Sequence, residues 1–297
     1  MKRFLFFFPA ILLLALLFSL PASGEDNILS MSTTTSTQAS GLLDVLLPEF
    51  EKDTGIRVKV IAKGTGAAIR DGVDGNVDVI FVHAKDLEEE FVAQGYGTKR
   101  YAVMHNDFLI IGPQADPATI KNIKDCSRAL AAIADAEQSF ISRGDNSGTH
   151  IKEQELWRAS GITLATRNQS IVKSGKTNEI YFQAPADSAA WYVSVGQGMG
   201  KTTTFADEKQ AYTLIDRGTF IKYKYGTTPA IDLVPLCEGD STLANPYGVI
   251  PVNPEIHPGI NARAAQVFAE WIISKRGQKL IGDYRLLGKQ LFYPDAE

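Results

Sequence analysis

An α/β fold of about two lobes is predicted by three observations. Short apolar runs alternate with amphipathic helical stretches, glycine and polar turn residues separate them, and 297 residues exceed what one compact lobe usually takes. With 44% hydrophobic and 22% charged residues the chain can build a sizeable core, which excludes a disordered protein. Its 25 Gly and 13 Pro are too sparse for a collagenous or linker-like chain. A net charge of −4, with no long block of like charges, argues against nucleic acid as a partner.

Lys2 and Arg3 precede an apolar run from Phe4 to Phe18, and Ser19 to Gly24 form a small-residue exit. This reads as a secretory signal peptide over residues 1–24, cleaved after Gly24. No cysteine stands near that point to carry a lipid, and no later stretch is long enough to span a bilayer. A mature protein free outside the cytoplasm follows.

After the TTTST run at Thr33 to Thr37, Leu43, Leu46, Leu47 and Phe50 recur at helical spacing up to Gly55, with Pro48 expected to kink the helix. Arg57 to Ala62 is a strand; a GTG turn at Gly64 to Gly66, a short helix through Arg70 and an apolar strand from Val77 to Val82 complete a unit that builds parallel sheet. Phe108 to Ile111 is a strand, Ile120 to Ala134 a helix, and Phe140 and Ile141 a short strand leading into SRGDNSGTH. A helix over Thr149 to Ser160 follows, then strands at Leu214 to Ile215, Asp232 to Leu236 and Tyr247 to Val252. Ala189 to Val195 fits a strand no better than a helix end. In the tail, Ala264, Val267, Phe268, Trp271 and Ile272 form one helical stripe, and Gly277 separates a second helix near Leu280. Helices should cover both sheet faces, with ligands collecting beyond the strands' carboxyl ends.

Two strand-to-helix junctions share a donor-rich chemistry. One carries Thr33, Thr34, Thr35, Ser36 and Thr37; the other carries Ser142, Arg143, Ser147, Gly148 and Thr149. Unpaired amides at a helix start bind anions, hydroxyls add donors, Gly148 permits close approach, and Arg143 supplies a planar charged fork. Either run alone reads more simply as helix capping; the pair points to an anion site. Thr65 and Gly66 of the GTG turn are minor candidates.

Other chemistries fit less well. GQGMGKTTT at Gly196 to Thr204 is one residue too short for a nucleotide-binding loop, although it could border a cleft. A hydrolase would need Ser147, His150 and Asp145, which crowd one helix start, whereas such triads are assembled from separate segments. His83, His105, His150 and His257 are scattered without a metal-binding spacing, and each reads as a packed or surface histidine. RGD at Arg143 to Asp145 suggests an adhesive module only if that arginine is not needed in a cleft. Cys126 and Cys237 either pair, as an oxidising compartment favours, or stay as separately buried thiols.

Taken together, TTTS, VHA at Val82 to Ala84, NDF at Asn106 to Phe108 and SRGDNSGTH resemble the periplasmic tungstate-binding proteins that serve ABC importers. GQGMGKT, TLIDRGTF at Thr213 to Phe220 and NPYGVIPVNP at Asn245 to Pro254 extend the resemblance over almost the whole mature chain. It implies a two-lobed type II periplasmic binding protein fold that closes on an oxyanion in a cleft between its lobes. The implied ligands are Thr34, Thr35, Ser36, Arg143, Ser147 and Thr149. The family often carries Asp where this chain has Asn146, which alters charge near the site rather than its donors.

The expected lobes are 25–105 with 246–297, and 106–245. The resemblance further implies a periplasmic monomer that binds tungstate, with molybdate as a second ligand, needs no cofactor or metal, catalyses nothing, and delivers its cargo to an ABC permease with its ATPase. Tungstate and molybdate share charge and shape, so the order between them rests on the resemblance. Phosphate or sulfate binding is the alternative within the class, since Arg143, Asp145, Ser147, Gly148 and Thr149 also satisfy a phosphate binder's R-x-D-x-S-G-T pattern. Hydrogenphosphate wants an acceptor carboxylate, whereas a fully ionised tetraoxo anion wants donors only. Asp145 capping a turn favours tungstate; Asp145 pointing into the cleft favours phosphate. A secreted serine hydrolase is the alternative from another class. Nanomolar binding needs about 12 kcal/mol, and hydrogen bonds to a charged group contribute roughly 1.5 to 3 each, so seven or eight donors suffice after ordering costs.

Overall fold

The computed structural model describes residues 27–173 and 176–296. The expected signal peptide lies outside them, and among the described residues no helix is long and apolar enough to cross a membrane. In chain order the elements are β1 (Ile28–Thr34), α1 (Thr35–Ser40), α2 (Leu42–Thr54), β2 (Arg57–Lys63), α3 (Thr65–Val73), β3 (Val79–Val82), α4 (Lys85–Ala93) and β4 (Tyr101–Gly112). There follow α5 (Cys126–Asp135), β5 (Phe140–Ser142), α6 (Gly148–Ala159), β6 (Leu164–Lys173), β7 (Lys176–Pro185), β8 (Tyr192–Ser194), α7 (Met199–Glu208), β9 (Thr213–Asp216) and α8 (Arg217–Tyr225). The chain ends with β10 (Val234–Cys237), β11 (Ala244–Pro251), α9 (Ala262–Ile272), α10 (Lys275–Asp283) and short pairings.

β1 lies between β2 and β3 and runs parallel to both, as the strand, turn, helix, strand pattern requires. The sheet as a whole is mixed, because β11 returns antiparallel to both β3 and β4. A long return segment pairs antiparallel without a crossover helix, so nothing local in its sequence announces its direction. Helices cover both faces. Leu42, Leu46 and Phe50 of α2 pack with Phe268 and Ile272 of α9 and Ile281 of α10 on one side, while Ala68 of α3 and Phe91 of α4 bury Ile80 and Val82 on the other.

β4 carries the chain between the two halves of the molecule. Tyr101 to Asp107 pair with β11, and from Phe108 onward the partners become β9 and β10. Two further apolar clusters form the second half. Phe108, Ile110, Leu130, Phe140 and Trp157 lie in one; Leu109, Ile111, Ile141 and Phe220 lie in the other. Alternate residues of β4 thus feed opposite faces, as a strand buried on both sides must.

Several element boundaries correct the sequence reading. The helix expected from Ile120 begins at Cys126, because Asp116 accepts from the Ile120 and Lys121 amides in a turn and Asp125 then caps α5 by accepting from Arg128 N. The first helix starts at Thr35, breaks at Gly41 with φ of 85°, and resumes as α2, which runs on through Pro48 to Thr54. Gly277 does not separate the last two helices; it lies in the first turn of α10, where its amide donates to the Ser274 cap. The ambiguous stretch before Gly196 contains β8, parallel to β5. The hairpin β6–β7 was not expected at all, since Arg167 and Gln169 occupy the face of β6 that pairs with the buried Phe182 and Ile180 and break its apolar alternation. Cys126 and Cys237 form a disulfide that ties the start of α5 to the end of β10, with Cα atoms 6.2 Å apart.

Candidate functional site

The first junction is the turn from β1 into α1. Thr34, in extended conformation, caps α1 by accepting from the Thr37 amide at 3.1 Å. Its Oγ1 also lies 2.6 Å from Thr37 Oγ1 and 3.0 Å from Ser36 Oγ, while Thr33 turns away and donates to Phe81 O at 2.6 Å. Just beyond the carboxyl end of β3, His83 places Nε2 3.1 Å from both Thr34 Oγ1 and Ser36 Oγ. Its Nδ1 faces Asn245 Oδ1 at 2.9 Å, and Asn245 Nδ2 donates to Asn106 Oδ1 at 2.6 Å. Tyr247 stacks on the imidazole, with centroids 4.7 Å apart. Ala84, the next residue, donates to Glu88 at 2.6 Å, and Arg100 holds the other oxygen of that fully buried carboxylate at 2.7 Å.

The second junction is the loop from β5 into α6. Ser147 caps α6, accepting from His150 N at 3.4 Å, so the first-turn amides of Gly148 and Thr149 have no partner within the helix. Arg143 reaches back along this loop: Nη1 donates to Thr149 Oγ1 at 3.4 Å, and Nε lies 3.0 Å from Asp145 Oδ1 outside hydrogen-bond geometry. Asp145 accepts from the Ser147 amide at 3.2 Å, and its side chain is only 8% exposed. It caps the turn. Gly144 has φ of 61°, and a Cβ there would overlap Ser194 Oγ at 1.8 Å, so glycine is required where the loop crosses the end of β8. The amides of Val195 and Gln197 donate to Ser142 O and Arg143 O, which places the GQGMGKT segment beside the arginine.

The two junctions face each other. A Cβ on Gly148 would stand 3.6 Å from His83 Cε1 and 4.0 Å from Thr65 Oγ1, so the amino end of α6 looks onto the first half's hydroxyls. Gly148 thus stands beside Thr65 and beside His83, which holds Thr34 and Ser36, while Arg143 meets Thr149 one residue further along α6. Thr35 and Gly66 are exposed in the first turns of α1 and α3. Burial holds the His83 imidazole below its ordinary pKa, with Asn245 and Asp216 pulling upward and Arg143 downward. These residues carry hydroxyls, the Arg143 guanidinium and the His83 imidazole, with the Asp145 carboxylate beside the arginine.

The sequence reads His83 as a packed or surface histidine, shows Asn245 only as the start of a matching stretch, and does not single out Glu153. A signal for His83 existed: it sits one residue past a buried strand, where ligands on such sheets collect. Glu153 gave none. From α6 it accepts from Ser142 Oγ at 2.9 Å, Trp157 Nε1 at 3.3 Å and Tyr192 Oη at 2.8 Å, tying the helix to the strands that flank Arg143. Burial pushes its carboxyl up to about 7. The native state therefore keeps a proton that the unfolded chain has released, and stability falls as pH rises from about 4.5 to about 7. Glu153→Gln should remove this component, so that in urea unfolding at pH 5 and pH 8 the variant gains up to about 3 kcal/mol on the wild type at the higher pH. An unchanged difference between the two pH values would place Glu153 in its ordinary range.

The geometry does not form a hydrolytic triad. Ser147 Oγ accepts from the His150 amide, His150 Nδ1 accepts from the Asn146 amide at 3.1 Å, and Nε2 is buried without a partner. Burial also lowers His150 to about 4, while Asp145 is engaged by the turn. The RGD tripeptide is folded into the loop rather than displayed: the Arg143 side chain is 20% exposed.

A bilobal α/β body whose two strand-to-helix turns converge on a donor-lined space defines the solute-binding class. The family model of the PBP superfamily domain matches residues 21–276. A curated "Tungstate-binding protein TupA" from Peptoclostridium acidaminophilum is 43% identical over 311 aligned positions, covering 100% of this chain and 99% of that protein. The solved tungstate-binding protein TupA of Desulfovibrio alaskensis G20 superposes with a TM-score of 0.79 at 44% identity, over 91% of this chain and 99% of the other. The tungstate ABC transporter structure from Geobacter sulfurreducens gives 0.70 at 45% identity, over 87% and 99%. The chain belongs to the PBP superfamily and, within it, to the family of the TupA proteins.

Proposed function

We propose that the chain binds tungstate, and molybdate as a second ligand, between its two lobes and delivers it in the periplasm to an ABC permease driven by its ATPase. The single observation that carries this reading is the approach of the α6 start to the His83 and Thr65 side, with Arg143 alongside. The relatives' names supply the anion; the donor set supplies the reason. Thr34, Thr35, Ser36, Thr65, Gly66, Arg143, Ser147, Gly148 and Thr149 are the proposed contacts. Lobes of 25–105 with 246–297, and 106–245, would close over them, and the change of partners along β4 at Phe108 supports a hinge there. The protein acts as a monomeric carrier and not as an enzyme.

Selectivity follows from protonation. Tungstate is a full dianion that needs donors, whereas hydrogenphosphate needs one acceptor. Asp145, the carboxylate nearest Arg143 in the second junction, is committed to the Ser147 amide and to the arginine itself. Calorimetric titration of the mature protein with tungstate, molybdate, sulfate and phosphate in parallel tests this: nanomolar binding of the first two and no heat from phosphate are expected. Heat from phosphate alone would overturn the assignment.

A further inference from the structure

We propose that His83 takes up a proton at Nε2 when the anion binds, and thereby turns one hydroxyl of the Thr34 and Ser36 pair from a donor to the ring into a donor to the ligand. This rests on the anion site proposed above and concerns how that site becomes all-donor.

The hydrogen count sets the problem. Asn245 Nδ2 donates to Asn106 Oδ1, so Asn245 presents its carbonyl oxygen to His83 Nδ1, which must therefore carry the hydrogen. Both asparagines are 4% exposed, so water offers no easy substitute for this chain of bonds. In the neutral ring Nε2 is then bare. It stands 3.1 Å from two hydroxyls, and its lone pair accepts from one of them. That hydroxyl has a single hydrogen, which is then unavailable to the ligand. A tetraoxo dianion offers only acceptors, so a bare Nε2 beside it wastes a donor.

A proton added from solvent to Nε2 reverses the arrangement. The N–H formed donates to the oxygen of that hydroxyl, its single hydrogen is free to rotate to the anion, and the imidazolium offsets part of the ligand's charge.

The groups facing His83 set when this happens. Arg143 from the β5–α6 loop opposes a second positive charge, and burial opposes any charge. Asp216 at the β9–α8 turn favours it. From β11, Tyr247 stacks on the ring with its phenol pushed well above the ordinary range by burial, so it stays neutral. β1 and α1 contribute hydroxyls only, and Thr65 comes from α3. In the empty site burial and Arg143 keep the ring neutral. A bound dianion adds two negative charges and occupies Arg143, which shifts the balance to the imidazolium.

The linkage has a definite sign. Protons are taken up on binding, so affinity rises as pH falls between the His83 pKa of the bound form and the lower one of the empty form, by at most about tenfold per pH unit. Calorimetry of tungstate binding near neutral pH, in two buffers of small and large protonation enthalpy, reads this directly. The wild-type heats should differ between buffers and report a net uptake of protons, at most one per anion. His83→Gln should abolish the buffer dependence and weaken binding by about tenfold or more, whereas His150→Gln should keep the uptake. Equal wild-type heats in both buffers, or uptake that persists in His83→Gln, would overturn the proposal. No tungstate heat in either buffer would instead remove the anion-site reading on which it stands.

Discussion

Replacing Arg143 by alanine lowers tungstate affinity by about a hundredfold or more, since a charge-assisted fork to an oxyanion contributes more than a single neutral hydrogen bond. Two further effects act in the same direction. Removing the guanidinium leaves the Asp145 carboxylate, 3.0 Å away and 8% exposed, without its cation and close to an incoming dianion. It also frees Thr149 Oγ1 from the Arg143 contact that orients it. Arg143→Lys keeps a charge without the planar fork and should recover only part of the loss. The ligand-free variant should also lose stability, because a carboxylate left buried without its cation is costly, so binding is compared at a temperature where both proteins are folded. Calorimetry on Arg143→Ala settles the matter; affinity equal to wild type would mean that the anion sits elsewhere.

The second large effect is on stability. Replacing Cys126 and Cys237 together by alanine should cost about 2 to 5 kcal/mol in urea unfolding, because the bridge closes a loop of 111 residues and both sulfurs are buried in the second half's core. For a protein of this size that corresponds to a fall in melting temperature of roughly 5 to 15 °C. The same loss should follow reduction of the wild-type protein by a strong thiol, but not reduction of the double variant. Binding at a temperature where both proteins are folded should change little, since neither cysteine is among the proposed contacts. A double variant as stable as the oxidised wild type would show the bridge to be dispensable.

How much was legible in the sequence depended on distance along the chain. Thr34, Ser147 and Gly148 were readable because capping acts over three or four residues: a hydroxyl before a helix has its amide partner nearby. The Asx turn of Asp145 onto the Ser147 amide is local in the same way. His83 was not readable as part of the site, because its partner Asn245 lies 162 residues on and its hydroxyl neighbours 47 and 49 residues back. Glu153 looks like any acidic residue of a surface helix until the β5–β8 pair, which brings Ser142 and Tyr192 beside it, folds over it. The β6–β7 hairpin escaped for a different reason. β7 turns Ile180, Phe182 and Ala184 inward and Glu179 and Tyr181 outward, but two of the facing positions on β6 are Arg167 and Gln169, so only one strand of the pair shows an apolar pattern.

By itself the sequence determined the α/β class, the order of most strands and helices, and the two donor-rich turns. Periodicity and capping are interactions between near neighbours, and the chain carries them wherever it goes. Only the tertiary structure decided that β11 returns antiparallel, that Cys126 meets Cys237, and that the start of α6 arrives opposite His83. Each of these joins segments separated by a hundred residues or more, or by the pairing switch along β4, and their energies belong to packed surfaces that exist only once both halves have formed.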